Sequence, residues 1–348
     1  MYSIMDNQKL INSDLSSLEK LLFGGPKKIL ILTHRNPDGD AIGASLGLFN
    51  ILRKLEHNVK VLVPNQYPDF LKWMPSAKEI IIYSNQKSKA IELLKEAEIL
   101  FAIDFNDLSR IKEFEEYVMS GKAYRVLIDH HPDPHDFANL TISNTEASSS
   151  AELLYAFVKV INLAQFMDRD IASCIYVGIM TDTGCFSYNS SRKETFLEVA
   201  ELLDYKIEKD RIYDLVYDNY SYNRMKLMGY CLDKKMKFLP EYRTAYISLS
   251  SEELKSYNFK NGDSEGFVNL PLSIDDVRFS AIFIENTKSI KISMRSKGSF
   301  SANKVCADHF NGGGHRNAAG GESFDNLQDT IDKFVNLLPN YKDELFKD

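Results

Sequence analysis

The sequence has few cysteines, and none is arranged for metal or disulfide chemistry. Four cysteines occur in 348 residues, with no CxxC pair and no zinc-ligand spacing. We therefore expect reduced, buried thiols and a cytoplasmic protein. A run of about 18 apolar residues is also missing, which argues against a membrane-spanning helix. The first residues lack a basic region followed by an apolar stretch, so we expect no signal peptide.

Positive charge is also scarce. The chain carries 42 Lys and Arg against 49 Asp and Glu, which gives a formal net charge of −7. Binding of long nucleic acid depends on neutralising many phosphates, so we expect neither long nucleic acid nor a membrane surface as a partner. Short anionic substrates held by a few local cations remain compatible with this balance. The length is too great for one typical core and predicts two domains.

The stretch over residues 29–47 organises the rest of the chain. Five strand-like residues lead directly into HRNPDGD, and small and apolar residues suited to a packed helix follow. Pro37 stiffens this turn, and Gly39 allows backbone angles that other residues avoid. A strand, a tight turn and a helix would place His34, Asp38 and Asp40 beyond the carboxyl end of the strand, where open α/β sheets hold ligands.

Three further apolar segments predict strands of the same sheet. They cover residues 59–63, 99–103 and 124–128. The second would deliver Asp104 at its end, and the third would deliver Asp129, His130 and His131. Near-continuous apolar strands separated by helical stretches are typical of a parallel sheet that is covered on both faces. The fold class that we predict is therefore α/β.

The chain after residue 160 predicts a buried helix, a connector and a second sheet. The buried helix covers residues 170–180 and leads to Asp182. We place the first domain at 1–190, a helical connector at 191–237 and a smaller α/β domain at 238–348. The other predicted elements are a lead-in helix at 8–23, strands at 244–249, 277–285 and 289–295, and helices at 301–310 and 327–338.

Six side chains could form one metal site. They are His34, Asp38, Asp40, Asp104, His130 and Asp182. Carboxylates held this close would repel one another, and a divalent cation removes that conflict. Four carboxylates and two imidazoles suit a pair of cations, with manganese favoured and magnesium or cobalt as alternatives. Paired metals about 3.5–4 Å apart can activate water for an in-line displacement at phosphorus.

These motifs resemble those of the DHH phosphoesterase family. The matching segments are HRNPDGD, the Asp104 strand end, DHH at 129–131 and TDTGCF. The segments EGFVNLPLSI, ISMRSKG and NGGGHRNAAG resemble the DHH-associated substrate-binding domain found in many members. The whole pattern is most similar to the stand-alone oligoribonucleases of the family, called nanoRNases. Many of these also remove the 3′-phosphate of adenosine 3′,5′-bisphosphate (pAp).

The resemblance implies a role for each residue. His34, Asp38 and Asp104 would hold one metal, and Asp40, Asp104, His130 and Asp182 the other. His131 would act at the scissile phosphate or the leaving oxygen, and Asp129 would orient the histidines. Arg295, Gly313, Gly314 and His315 of the second domain would bind the substrate across a cleft. Asn311 stands where the family usually has a first glycine, and because Asn tolerates left-handed angles we expect the loop to persist.

Other interpretations remain open at this point. The same motifs would serve a phosphodiesterase for cyclic di-AMP or linear dinucleotides, and a nucleotide-binding regulator without activity is a third reading. Inorganic pyrophosphatase activity fits less well. Asp40 could simply cap the following helix, the glycine run could cap a helix, and Arg110 could reach the substrate or form an ion pair. A homodimer is compatible with the sequence.

Overall fold

The chain forms two compact units, the first ending at Asn219 and the second beginning at Tyr220. The computed structural model describes residues 15–260 and 262–347. The separate connector that we place at 191–237 stays a prediction. Helices Lys193–Asp204, Lys209–Tyr217 and Tyr222–Tyr230 occupy most of that stretch. Among the described residues, none of the helices has both the length and the apolar character needed to cross a bilayer.

The first unit is built on a six-stranded parallel sheet, which confirms the predicted fold class. Its strand order is β3-β2-β1-β4-β5-β6. The strands are β1 (Lys28–Thr33), β2 (Asn58–Val63), β3 (Ile81–Ile82), β4 (Ile99–Ile103), β5 (Tyr124–Asp129) and β6 (Leu140–Ser143). Four of them match the predicted strands. The sequence reading missed β3 and β6, which are short edge strands with little apolar pattern of their own.

Helices cover both faces of this sheet. They are α1 (Ser16–Phe23), α2 (Gly39–Lys54), α3 (Lys87–Glu96), α4 (Glu115–Ser120), α5 (Ser150–Val160), α6 (Arg169–Asp182), α7 (Lys193–Asp204) and α8 (Lys209–Tyr217). Alternate residues of β1 point to opposite faces. Ile29 and Ile31 pack in the core formed with α2, α5 and α6, whereas Leu30 and Leu32 pack with α3 and α4. This alternation is the period-2 pattern of a strand that is buried on both sides.

Two glycines allow α2, α5 and α6 to pack closely. A Cβ atom built on Gly43 of α2 would lie 2.6 Å from the carbonyl oxygen of Cys174 in α6. A Cβ on Gly178 of α6 would lie 2.5 Å from the Cβ of Ala151 and 2.9 Å from Oδ1 of Asp40. Any side chain at these positions would push the helices apart. The glycines therefore bring Asp40, at the start of α2, against the start of α5.

The second unit contains a mixed six-stranded sheet of order β11-β12-β10-β9-β8-β7. Its strands are β7 (Lys237–Leu239), β8 (Thr244–Leu249), β9 (Phe279–Glu285), β10 (Ile290–Ser296), β11 (Gly313–His315) and β12 (Ala318–Ser323). Its helices are α9 (Tyr222–Tyr230), α10 (Ser251–Ser256), α11 (Ala302–His309) and α12 (Leu327–Leu345). The three predicted strands and the predicted helix at 301–310 are present, with ends shifted by at most two residues.

Two predictions need correction, and a third falls partly outside the described residues. The last helix continues to Leu345, although Pro339 lies inside it, because Tyr341 and Leu345 extend the buried stripe of Phe334 and Leu338. Packing of this face outweighs the hydrogen bond that proline removes. Residues 313–315 form β11 rather than a loop. The lead-in helix is described from Ser16, and the rest of that predicted helix lies outside the described residues.

Candidate metal centre

The turn after β1 is held rigidly by its own polar side chains. Asp38 is the N-cap of α2, and its Oδ1 accepts hydrogen bonds from the amides of Asp40 and Ala41, both at 3.1 Å. The cap therefore falls on Asp38 and not on Asp40. Asn36 adopts a left-handed φ of 56°, and its amide donates to the side chain of Asn65 at 2.8 Å. These bonds fix where His34 and Asp38 lie.

Asp40 is buried and held by the amino terminus of α5. Its Oδ2 accepts the Ser150 amide at 2.7 Å, and its Oδ1 accepts the Ala151 amide at 2.9 Å. Only 1% of the residue is exposed. The positive end of a helix dipole favours a carboxylate at this position. Each oxygen keeps a further lone pair for another partner.

Asp104 adopts an unusual backbone conformation at the end of β4. Its φ is +66°, in the left-handed region that few residues other than glycine enter, although Asp tolerates it better than most. Such outliers occur often at functional sites, where the surrounding structure enforces them. The Asp104 side chain is buried, with Oδ2 lying 3.3 Å from Nε2 of His34. Its Oδ1 accepts a hydrogen bond from the Ser150 hydroxyl at 2.8 Å.

His130 faces three carboxylates. Its Nε2 lies 3.4 Å from Oδ2 of Asp182, 3.8 Å from Oδ1 of Asp104 and 3.9 Å from Oδ2 of Asp40. Its Nδ1 lies 3.3 Å from the carbonyl oxygen of Ala147. That carbonyl can accept only from a protonated Nδ1, which leaves Nε2 as the acceptor or metal ligand. Burial, followed by the charge of His131, lowers the pKa of His130 to about 4.

His131 and Asp129 form a buried pair beside this group. Nδ1 of His131 lies 2.8 Å from Oδ1 of Asp129, and the His131 amide donates to Oδ2 of the same carboxylate at 3.1 Å. Burial acts to lower the pKa of His131, but the hydrogen bond to Asp129 and the charge of Asp104 outweigh it, so the pKa is raised. Asp129 is fully buried and fixes the orientation of the His131 ring.

The structure therefore brings together all six residues that the sequence suggested as ligands. His34, Asp38 and Asp104 form one group whose ligand atoms lie within 4.8 Å of one another, and Asp40, His130 and Asp182 form a second such group. Asp104 belongs to the first group through Oδ2, which lies 3.3 Å from Nε2 of His34. Its Oδ1 lies 3.8 Å from Nε2 of His130 in the second group, so Asp104 adjoins both.

The chemistry of this donor set fits divalent cations. Burial raises the pKa of Asp40 well above its ordinary value, and the charges of Asp104 and Asp38 raise it further. Burial raises the pKa of Asp104 in the same way, followed by the charge of Asp38. Converging buried carboxylates that repel one another are stabilised by a bound cation. Oxygen and imidazole ligands suit magnesium or manganese.

The sequence leaves the role of Arg110 unsettled and does not single out Ser150. The backbone carbonyl of Arg110 accepts the Arg35 amide at 2.8 Å, which ties it to the turn after β1. Burial lowers the pKa of His34, and the nearby Arg110 guanidinium lowers it further. Arg110 thus adds positive charge to the acidic group. The contacts of Ser150 to Asp40 and Asp104 depend on tertiary structure, so no local sequence signal identifies it.

The candidate substrate residues of the second unit lie together on its sheet. Arg295 of β10 and His315 of β11 both pair with Ala318 of the intervening strand β12. Residues opposite one another in neighbouring strands share a face, so these two side chains flank Ala318 on one face. Lys291, on the same face of β10, is exposed, whereas Ile292 and Met294 on the opposite face are buried.

The glycines of the NGGGH segment serve different purposes. A Cβ on Gly312 would lie 2.1 Å from the carbonyl oxygen of Gly320, and Gly314 has a φ of +142°. The close approach of this segment to β12 therefore requires both glycines. Gly313 is exposed and has space for a side chain. Asn311 adopts a left-handed φ of 47°, as expected for the residue that replaces a glycine here.

Comparison with known proteins follows the same division of the chain. The model of the DHH family, N-terminal domain, matches residues 28–179. The model of the DHHA1 domain matches residues 243–341. The chain belongs to the DHH family. Five of the six candidate ligands lie inside the first match, as do His131 and Asp129, and Asp182 lies just beyond it.

Relatives of this DHH protein extend over most of its length. It is 28% identical over 89% of its chain to a probable bifunctional oligoribonuclease and PAP phosphatase of Streptococcus mutans, covering 94% of that protein. It is 29% identical over 90% of its chain to the bifunctional oligoribonuclease and PAP phosphatase of Thermus thermophilus, covering 88% of that protein. The crystal structure of an exopolyphosphatase-related protein from Bacteroides fragilis is 43% identical, with a TM-score of 0.91 and coverage of 96% and 99% of the two chains.

Proposed function

We propose that this DHH protein is a metal-dependent phosphoesterase that hydrolyses short oligoribonucleotides and the 3′-phosphate of pAp. The observation that carries this proposal is the position of Asp104. It is a buried carboxylate that adjoins two separate His and Asp groups. The names of the relatives support the substrate class, since they cover most of this chain and most of their own length. The net charge of −7 favours short substrates over long RNA.

The cations that we propose are manganese, with magnesium or cobalt as alternatives. His34, Asp38 and Asp104 would hold one, and Asp40, Asp104, His130 and Asp182 the other. When bound, two such cations supply Lewis acidity that lowers the pKa of water and offsets charge on the phosphate oxygens. His130 is ready to act as a ligand, because its lowered pKa keeps the imidazole neutral near pH 7.

The residues around the cations would bind the substrate and move protons. His131, whose pKa is raised, would donate a proton from Nε2 to the leaving ribose oxygen. Asp129 would keep that ring in the required tautomer through its hydrogen bond to Nδ1. Arg110 would bind a phosphate oxygen. In the second unit, Arg295 and His315 would bind a phosphate or base of the substrate, with Gly313 allowing close approach.

The test is a substrate panel with each candidate metal. Labelled RNAs of two to five nucleotides, pAp, cyclic di-AMP, linear pApA and polyphosphate would be incubated with manganese, magnesium or cobalt. We expect turnover of the short RNAs and pAp to exceed that of the other compounds. Preferred cleavage of cyclic di-AMP or pApA would favour a dinucleotide phosphodiesterase, and binding of nucleotides without turnover would favour a regulator.

Asp104→Ala should abolish activity in this panel. Asp107→Ala is the matched control, because Asp107 lies three residues further on, accepts the Ser109 amide at 2.7 Å and lies 3.3 Å from Nδ1 of His135, and neither partner is a candidate ligand. Wild-type turnover by Asp104→Ala would contradict the assignment of Asp104 to the metal centre. The four cysteines form no disulfide, and we propose a reducing, cytoplasmic location for this activity.

A further inference from the structure

The start of α5 contacts carboxylates from two different parts of the first sheet. We call residues 148–151, Ser148 to Ala151, the serine segment. The amides of Ser150 and Ala151 donate to the two oxygens of Asp40, at 2.7 and 2.9 Å. The hydroxyl of Ser150 donates to Oδ1 of Asp104 at 2.8 Å. Ser150 therefore contacts two candidate ligands at once, one through its backbone and one through its side chain.

The geometry of these bonds restricts both carboxylates. Asp40 cannot rotate without losing at least one of the two amide bonds. Asp104 is held by Ser150 at one oxygen, which leaves its other oxygen 3.3 Å from Nε2 of His34. Ser150 is fully buried, so water does not compete for its hydroxyl. The serine segment thus determines which lone pairs of Asp40 and Asp104 face the two His and Asp groups.

A second set of buried contacts holds the serine segment in place. Glu152 is fully buried, and its Oε2 accepts the Ser148 amide at 2.7 Å. Its own amide donates to the hydroxyl of Ser149, the N-cap of α5, at 3.0 Å. Thr195 of α7 donates to both carboxylate oxygens of Glu152 at 3.1 Å, and Arg192 contacts Oε1 at 3.3 Å. These contacts leave the segment little freedom to move.

We propose that Ser150 is a positioning residue for the metal centre. Its hydroxyl sets the orientation of Asp104, the carboxylate that adjoins both metal groups, and so determines affinity for the cations. This inference rests on the proposed function, because it concerns the same site. Ser150 itself is not placed as a ligand or as a catalytic residue. Partners that orient metal ligands in this way change metal affinity by about 10–100-fold when they are removed.

The experiment measures metal affinity without turnover. Metal-free protein would be titrated with manganese by calorimetry, comparing wild type with Ser150→Ala, Ser150→Thr and Ser250→Ala. Ser150→Ala removes the hydroxyl, whereas Ser150→Thr keeps it. Ser250→Ala is the matched control, because it removes a serine hydroxyl that caps a helix of the second unit, α10, and accepts the Glu253 amide at 3.2 Å. Thermal unfolding of each metal-free variant separates a loss of folding from a loss of affinity.

We expect Ser150→Ala to weaken manganese binding by about 10–100-fold, with Ser150→Thr closer to wild type. Ser250→Ala should lower the melting temperature of the metal-free protein and leave manganese affinity unchanged. Should Ser150→Ala fail to fold, Ser150→Thr decides the question, since affinity near wild type supports the role of the hydroxyl. Wild-type affinity in Ser150→Ala, or an equal loss in Ser250→Ala, would overturn the inference. Failure of the wild-type protein itself to bind manganese would instead contradict the proposed function.

Discussion

Substitution of Gly178 tests the close helix packing beside the candidate metal centre. A Cβ at this position would lie 2.5 Å from the Cβ of Ala151, whereas carbon atoms normally approach to about 3.5–4 Å. Neither methyl group can rotate away, so α6 and α5 must separate by about 1 Å. Such overpacking costs about 1–3 kcal/mol. For a unit of this size we expect Gly178→Ala to lower the melting temperature by about 2–12 °C.

The same substitution should also weaken metal binding. The added Cβ would lie 2.9 Å from Oδ1 of Asp40, which is tighter than an ordinary contact and must displace that carboxylate. Gly229→Ala is the control, because Gly229 lies in α9 and a Cβ there meets no atom within 4 Å. In a helix interior this control should raise stability by about 0.5–1 kcal/mol.

Differential scanning calorimetry with and without manganese would measure both effects of Gly178→Ala. The expected result is a lower melting temperature of the metal-free protein and a smaller increase on adding manganese. If Gly178→Ala melted and bound manganese as the wild type does, the close approach of α5 and α6 would not constrain Asp40.

Three further predictions concern other parts of the molecule. Burial, together with the charge of Glu152, raises the pKa of Glu198 to about 8 despite the charge of Lys159. The contribution of Glu198 to stability is therefore full below about pH 4.5 and is lost as pH rises through 8, at about 1.4 kcal/mol per pKa unit. Glu198→Gln should flatten the stability profile between pH 5 and 9, and an unchanged profile would refute the shift. Burial, followed by the charge of Asp38, raises the pKa of Asp104, so its contribution to stability is lost as pH rises. Asp104→Asn should therefore melt at a higher temperature than wild type in EDTA at pH 8 but gain no stability from manganese. A melting temperature at or below that of wild type would contradict this. Gly314 has a φ of +142°, and a Cβ there would lie 2.5 Å from the Ala318 carbonyl oxygen, so Gly314→Ala should lower the melting temperature. Gly313→Ala should leave the melting temperature unchanged and raise KM. Equal losses of melting temperature in both variants would show that Gly313 is structural.

Much of the candidate metal centre could be predicted from the sequence because its residues follow strand ends. His34, Asp104 and His130 each come directly after a buried parallel strand, β1, β4 and β5. The carboxyl ends of parallel strands lie along one edge of a sheet, so their succeeding residues converge. Apolar runs fix these strands without reference to distant residues. The positions of these candidate ligands could therefore be predicted with little tertiary information.

The remaining features depend on packing that the sequence does not display locally. Strand β3 has two residues and β6 has four, which is too short for a periodic signal. Pro339 predicts a helix end, yet the buried stripe continues past it to Leu345. The role of Ser150 depends on atoms that lie 46 and 110 residues away along the chain. None of these features has a local signature, and each became visible only in the folded chain.

The arrangement of cations around Asp104 is the most direct test of the proposed metal centre. Crystals soaked with manganese would be measured at the manganese absorption edge, where anomalous scattering locates the ions independently of the protein. We predict two anomalous peaks about 3.5–4 Å apart, one beside His34 and Asp38, the other beside Asp40, His130 and Asp182, with Asp104 contacting both. A single peak, or peaks away from Asp104, would contradict the account.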